Sequence, residues 1–270
     1  MRIRILTENT VYRRGLTGEH GLSFLLEEQG HRFLFDTGQS SVYVKNAEKL
    51  HEDIKNVDGI ILSHGHYDHC GGIEFYPRSE NMPPIYIREK AFEDKRNYNG
   101  KKNQYDRIGI DWAKEKFAQS YIFTGKRYEI CKNFTLLSKI EDEAGFKNKP
   151  RGFYIGEGER PDYMEDEQIL VVQTEKGLSL FMGCSHMGVM NCISRVMREF
   201  PGQPVYSILA GMHLNHASME QIDKTIEELE KIAFDILIPV HCTGIRAIGR
   251  MKERLGERCI LAETGKEIKL

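Results

Sequence analysis

Ser63-His64-Gly65-His66-Tyr67-Asp68-His69 follows directly on Val57-Asp58-Gly59-Ile60-Ile61-Leu62, whose apolar, β-branched residues read as a buried strand. At Ser63 the apolar run stops, and three imidazoles and one carboxylate fall within six positions. Nitrogen and carboxylate donors of this kind suit a borderline divalent cation such as Zn²⁺, and the turn residues among them let the side chains point into one space. The alternative for so polar a stretch is a surface loop with stray histidines.

Working outward, three later strands are expected to end in the same way. Gln168–Thr174 and Leu178–Met182 read as a hairpin about Glu175-Lys176-Gly177, and its second strand runs into Gly183-Cys184-Ser185-His186. Val189, Ile193, Val196, Met197 and Phe200 then recur at helical spacing. Val205–Ala210 is a strand ending at Gly211-Met212-His213, and Ser218–Ala233 is an amphipathic helix in which Ser218 and Gln221 fit a capping box. Phe234–Val240 ends at His241, and a last helix runs from Arg246 to Leu255. Histidines at repeated strand ends are what a layered α/β fold places at a site. Toward the N-terminus, Gly21–Glu27 and His31–Asp36 read as strands joined at Glu28-Gln29-Gly30, and 41–56 as a covering helix. His20 lies in a loop beside them. Residues 82–149 read as an insertion over the site, with a short strand at Ile85–Ile87 and a short helix at Asp111–Gln119. Within it Tyr105 and Arg107, with Tyr98, Lys101 and Lys102, either grip an anionic substrate or form a solvated charged loop.

Phe35-Asp36-Thr37-Gly38, Ser63 to Gly72, Gly183-Cys184-Ser185-His186, Gly211-Met212-His213-Leu214 and His241-Cys242-Thr243-Gly244 resemble, in order and spacing, the motifs of the metallo-beta-lactamase superfamily. Within it they are similar to the branch that includes the dihydropterin ribofuranosylaminobenzene-phosphate synthases. The resemblance implies a four-layer αββα sandwich, expected here as a single domain over 1–270. It implies a binuclear centre, with His64, His66 and His186 on one ion, Asp68, His69 and His241 on the other, and Asp36 orienting a ligand. The sequence departs from the superfamily in having no bridging Asp after the third motif. Either Cys184 takes that place or the second position is weaker; Cys184 as a plain core thiol, and Asp166 as a substitute carboxylate, stay open.

Two divalent ions, zinc first with manganese or iron as alternatives, imply a hydrolase in which a metal-bound hydroxide attacks an ester or a phosphate-containing small molecule. Asp68 serves the metal and His213 is the candidate proton donor. Gly188, Thr243 and Gly244, at two expected helix starts, are candidate anion-binding positions, or else glycines that only permit sharp turns. The branch implies a second function, a transferase releasing pyrophosphate from a pterin diphosphate. A third is a metal-binding or redox module, which would need a flavin partner. Basic and acidic residues number 38 and 40, a net charge of −2 that provides no field for nucleic acid or an anionic membrane. The N-terminal segment lacks the apolar stretch of a leader, and six cysteines without a C-x-x-C pair suggest free thiols, so a cytoplasmic location is expected. Cys70, Cys184 and Cys242, each beside a candidate ligand, are expected to cluster at the metals.

Overall fold

The computed structural model describes residues 1–77, 82–142 and 152–270, and the chain falls into two compact units. In chain order the elements begin with β1 (Arg2–Thr7), β2 (Ser23–Glu28), β3 (His31–Phe35), helix α1 (Val42–Leu50), β4 (Gly59–Ile61), the single turn α2 (Tyr67–Cys70) and β5 (Ile85–Ile87). Next come β6 (Lys95–Asn99), β7 (Gln104–Arg107), β8 (Tyr121–Phe123), β9 (Arg127–Cys131), β10 (Phe134–Leu137), β11 (Phe153–Ile155) and β12 (Arg160–Pro161). The remainder is β13 (Ile169–Thr174), β14 (Gly177–Met182), α3 (Val189–Glu199), β15 (Val205–Ala210), α4 (Met219–Glu230), β16 (Phe234–Pro239), α5 (Ile245–Leu255) and β17 (Glu267–Lys269).

The first unit comprises Met1–Thr124, Gly152–Asp162 and Glu263–Leu270. Its main sheet has the order β17-β1-β2-β3-β4-β5-β8, antiparallel as far as β3 and parallel from β3 onward. The β2–β3 hairpin turns through Gln29 and Gly30, both at positive φ, the geometry that matches strand twist in a two-residue loop. Leu25, Leu34, Ile60, Leu62 and Ile85 pack in one core with Tyr43 and Ala47 of α1. That helix stops short of the expected Asn56, because His51 turns left-handed and its N–H closes back on Ala47 and Glu48. Ile54, which continued the helical spacing, reaches the interior from irregular chain. The parallel register pairs Phe35 with Ile61, and the Asp36 N–H donates to the Ile61 carbonyl at 2.8 Å. Asp36 and Ser63 therefore leave neighbouring strand ends together, where sites form in parallel sheets.

A second, four-stranded antiparallel sheet of this unit runs β12-β11-β6-β7. Lys-Arg-Asn-Tyr-Asn and Gln-Tyr-Asp-Arg form its hairpin without apolar alternation, so by sequence they resemble a charged stretch. The stretch read as an insertion also supplies β5 and β8 to the first sheet and β9 and β10 to the sheet of the other unit, and is thus part of the framework. Its expected helix at Asp111–Gln119 is one 3₁₀ turn, Lys114–Phe117, and 143–149 lie outside the described residues.

The second unit spans Gly125–Arg151 and Tyr163–Ala262. Its sheet, β16-β15-β14-β13-β10-β9, has β14, β15 and β16 parallel, with Met182 opposite Ala210 and Ala210 opposite Pro239. The chain after each of these three strands consequently emerges at one sheet edge. Helices α3, α4 and α5 bury Val189, Ile193, Val196, Ile222, Ile226, Leu229, Ala247 and Met251 in a core shared with the strands. Ser218 and Gln221 form the expected capping box at the start of α4.

The loop after β4 depends on two close backbone approaches. A Cβ at Gly65 would sit 2.1 Å from the Ala91 carbonyl oxygen, and one at Gly72 would sit 1.9 Å from that of Thr37. No side chain fits at either position. Gly72→Ala should destabilise by at least the upper end of the about 1–3 kcal/mol typical of overpacking. Gly249→Ala, inside α5 with nothing within 4 Å of its added carbon, should instead stabilise by about 0.5–1 kcal/mol. Urea unfolding of the two variants should give shifts of opposite sign.

Candidate metal centre

In the first unit the site is built on Asp36, fully buried at φ 53. One carboxylate oxygen accepts the Ser63 N–H at 2.7 Å; the other accepts the Ser63 hydroxyl at 2.8 Å and lies 2.6 Å from His69 Nδ1. A carboxylate only accepts, so His69 Nδ1 carries the proton and its Nε2 keeps the lone pair. Ser63 has given its single hydrogen to Asp36. Its contact with His64 Nδ1 at 2.9 Å must therefore take a proton from the ring, leaving His64 Nε2 as a second lone pair.

Those lone pairs face other donors. His64 Nε2 is 3.0 Å from His66 Nδ1, and His69 Nε2 is 3.7 Å from Asp68 Oδ2. The His64–His66 contact is a hydrogen bond; nitrogen ligands at about 2.0–2.1 Å from a tetrahedral ion stand about 3.4 Å apart, so a small separation of the two rings would admit an ion. Burial, then the neighbouring His69 and His66, holds the His64 pKa well below its usual value. A neutral imidazole is the ligand form. The donor set thus fits divalent cations on the evidence of its directed lone pairs. His20, weakly indicated by sequence, lies 3.2 Å from Asp68 Oδ2 through its Nε2. Cys70 turns its thiol to the His64 carbonyl at 2.9 Å.

The small sheet supports this loop. Gly109 bridges to His66, the Tyr67 N–H donates to Ile108, and the Phe153 ring stacks on His66 with centroids 5.6 Å apart. Lys95, whose carbonyl receives Ile108 and Gly109, is buried in an ion pair with Asp162 at 2.7 Å. Its charge also opposes protonation of His64. Sequence inspection had no signal for this pair, since Lys95 sits in a run of charged residues. Arg107 donates to the Ile110 carbonyl at 2.6 Å, and Tyr105 packs between Tyr98 and Tyr154.

In the second unit Cys184, His186, His213, His241 and Cys242 come from the three adjacent strand ends. Ser185, His213 and His241 all adopt positive φ, a strained choice for residues other than glycine. Glu167 holds the first of these turns: its two oxygens accept the N–H groups of His186 at 2.6 Å and Met187 at 3.0 Å. Burial raises the Glu167 carboxyl to about 7, against the opposing pull of those two N–H groups. His186 and His213 have ring centroids 4.8 Å apart, and the His213 N–H points at Cys242 Sγ at 3.2 Å. Thr243 is fully buried, accepting from Met212 N–H and donating to the Ala210 carbonyl. Gly188 and Gly244, at φ 91 and 78, precede α3 and α5, and neither helix start has a side-chain cap.

Parallel strand ends that present imidazole, carboxylate and thiol donors in such sets are those of an α/β protein whose side chains could hold a metal ion. The family model described as the metallo-beta-lactamase superfamily matches residues 16–171, and the chain belongs to that superfamily and has its fold. It is 32% identical to the 7,8-dihydropterin-6-methyl-4-(beta-D-ribofuranosyl)-aminobenzene-5'-phosphate synthase of Methanocaldococcus jannaschii, over 96% of this chain and 92% of that one. An uncharacterized protein of the same organism is 31% identical over 93% and 94% of the two chains. Among solved structures, Tm1679, described as a metal-dependent hydrolase of the beta-lactamase superfamily, superposes with a TM-score of 0.84 at 29% identity, covering 100% of this chain and 99% of its own. Among the described residues no helix is long and apolar enough to cross a membrane.

Asp36→Asn takes away the acceptor that fixes the His69 tautomer. Chelator competition should show about 10–100-fold weaker retention of one ion, the loss usual for such a supporting group; retention equal to wild type would mean that His69 is not a ligand. Glu167 makes a pH prediction. Its folded pKa of about 7 exceeds the ordinary 4.5, so its contribution to stability is full below about 4.5 and is lost as pH rises through about 7, about 3 kcal/mol in total. In metal-stripped protein, Glu167→Gln should flatten that part of the stability profile measured by urea unfolding.

Proposed function

We propose that the protein is a metal-dependent hydrolase of a small, anionic, phosphate-containing ester. The observation that carries this reading is the pair of tautomers enforced from Asp36 and Ser63, which aim His64 Nε2 and His69 Nε2 at the donors His66 Nδ1 and Asp68 Oδ2. In the partition that the family resemblance implies, His64, His66 and His186 hold one ion and Asp68, His69 and His241 hold the other, with Cys184 in place of the absent bridging Asp. Zinc fits such a set first, with manganese or iron as alternatives. When bound, the ions would acidify water and polarise the scissile ester or phosphoryl group.

The chain's own residues supply the rest. Asp36 and Glu167 hold ligand-bearing backbone in place. His213, half-buried beside His186, is the candidate proton donor to a leaving group. The uncapped starts of α3 and α5 at Gly188 and Gly244 offer N–H groups to an anion, while Tyr105 and Arg107 are the candidate outer contacts. The Thr243 hydroxyl, already donating to Ala210, would serve that region through the loop it braces.

A second reading rests on the named function of the 32% identical relative: transfer of a pterin-methyl group from its diphosphate to an aromatic carbon, which displaces pyrophosphate. Metal analysis followed by assays on phosphodiesters, lactones, thioesters and pterin diphosphates separates the two. Hydrolysis of an ester with inhibition by inorganic phosphate supports the first. Pyrophosphate release that depends on an aromatic co-substrate supports the second and rejects the first. Asp68→Asn should lower occupancy of one metal position more than the other; equal loss from both would reject the partition.

A further inference from the structure

We propose that Cys184, His213 and Cys242 form a cation site of their own, lying wholly within the second unit and suited to a thiophilic divalent ion such as Zn²⁺. One ligand atom from each of the three lies within 4.8 Å of the other two. With Zn–S near 2.3 Å and Zn–N near 2.0–2.1 Å, tetrahedral ligand atoms stand about 3.5–3.8 Å apart, so closing this triangle takes shifts of about 1 Å. Two thiolates and an imidazole select zinc-like ions over magnesium, calcium or manganese.

The backbone is organised around this triangle. Cys184, His213 and Cys242 follow β14, β15 and β16, whose register places Met182, Ala210 and Pro239 side by side. A Cβ on Gly211 would lie 2.1 Å from the Gly183 carbonyl oxygen and 2.8 Å from Cys242 Sγ, so only glycine lets the three loops draw together. His213 holds φ 51, and its N–H donates to Cys242 Sγ, a bond that favours a thiolate. The two thiols are buried, and His213 is half-buried. Three ligands leave a fourth position for solvent, as in open zinc sites.

This departs from the binuclear reading on two residues: held on this ion, Cys184 is no bridge and His213 no proton donor, and Cys242 gains a role. The test uses the full chain, stripped with chelator and titrated with Co²⁺, because thiolate ligands give cobalt an intense near-ultraviolet charge-transfer band. The His64→Ala/His66→Ala variant should keep that band and the cobalt equivalent responsible for it. Cys242→Ser and His213→Ala should each lose that equivalent, with circular dichroism showing the fold intact; should the buried Cys242→Ser unfold, the half-buried His213→Ala still decides. Loss of the band in His64→Ala/His66→Ala would overturn the proposal, as would an unchanged band and stoichiometry in His213→Ala. Wild-type protein that binds a single cobalt, with the full thiolate band, would support this site while rejecting the binuclear reading.

Discussion

The carboxylate of Asp36 fixes the chemistry of the first unit. Three hydrogens converge on its two oxygens, from Ser63 N–H, Ser63 O–H and the His69 ring. Each is a decision about where a proton sits, and together they determine which nitrogen of His64 and His69 keeps its lone pair. Such an arrangement requires that β3 and β4 run parallel and in register, since only then do Asp36 and Ser63 leave the sheet as neighbours. The left-handed backbone at Asp36 and the side-chain-free contacts at Gly65 and Gly72 follow from the same demand for proximity.

Much of this was legible in the sequence. The strand before Ser63, the hairpin before Gly183, the β–α alternation after it and the capping box of α4 were all read from periodicity and turn chemistry, because those segments bury one regular face. Elements stabilised by their neighbours were not legible. The hairpin β6–β7 has no apolar alternation, β17 is three residues long, and α1 ends on a left-handed His51 that the apolar spacing runs straight past. Among site residues, the histidines, Asp68 and Asp36 were marked by motif. Glu167 and the Lys95–Asp162 pair were not, since their roles depend on which backbone N–H or which buried partner the fold brings to them.

The second unit arrives at a comparable concentration of donors by different means. Its three parallel strands deliver ligand-bearing turns, and positive φ at Ser185, His213 and His241 bends each turn sharply. Strain of this kind costs of order 1–3 kcal/mol per residue and persists where hydrogen bonds over-determine the backbone. Glu167 does so for His186, Thr243 for Met212, and Cys242 for His213. Each support comes from a residue distant in sequence, which ties the local geometry to completion of the sheet.

The pairing of β17 with β1 sets an order of events during synthesis. Arg2, Ile3 and Arg4 find their partners in residues 267–269, so that edge of the main sheet stays open while the intervening chain is made. At about 5–20 residues per second, this leaves an unpaired strand edge for roughly ten seconds to a minute. Arg2 and Arg4 set charged side chains along that edge, a recognised protection against strand-to-strand association, and Glu52, made long before Glu267, pairs with both. The ion pairs they make with Glu267 in the finished protein thus cap an edge that the same arginines keep soluble while the nascent chain waits for its last partner strand.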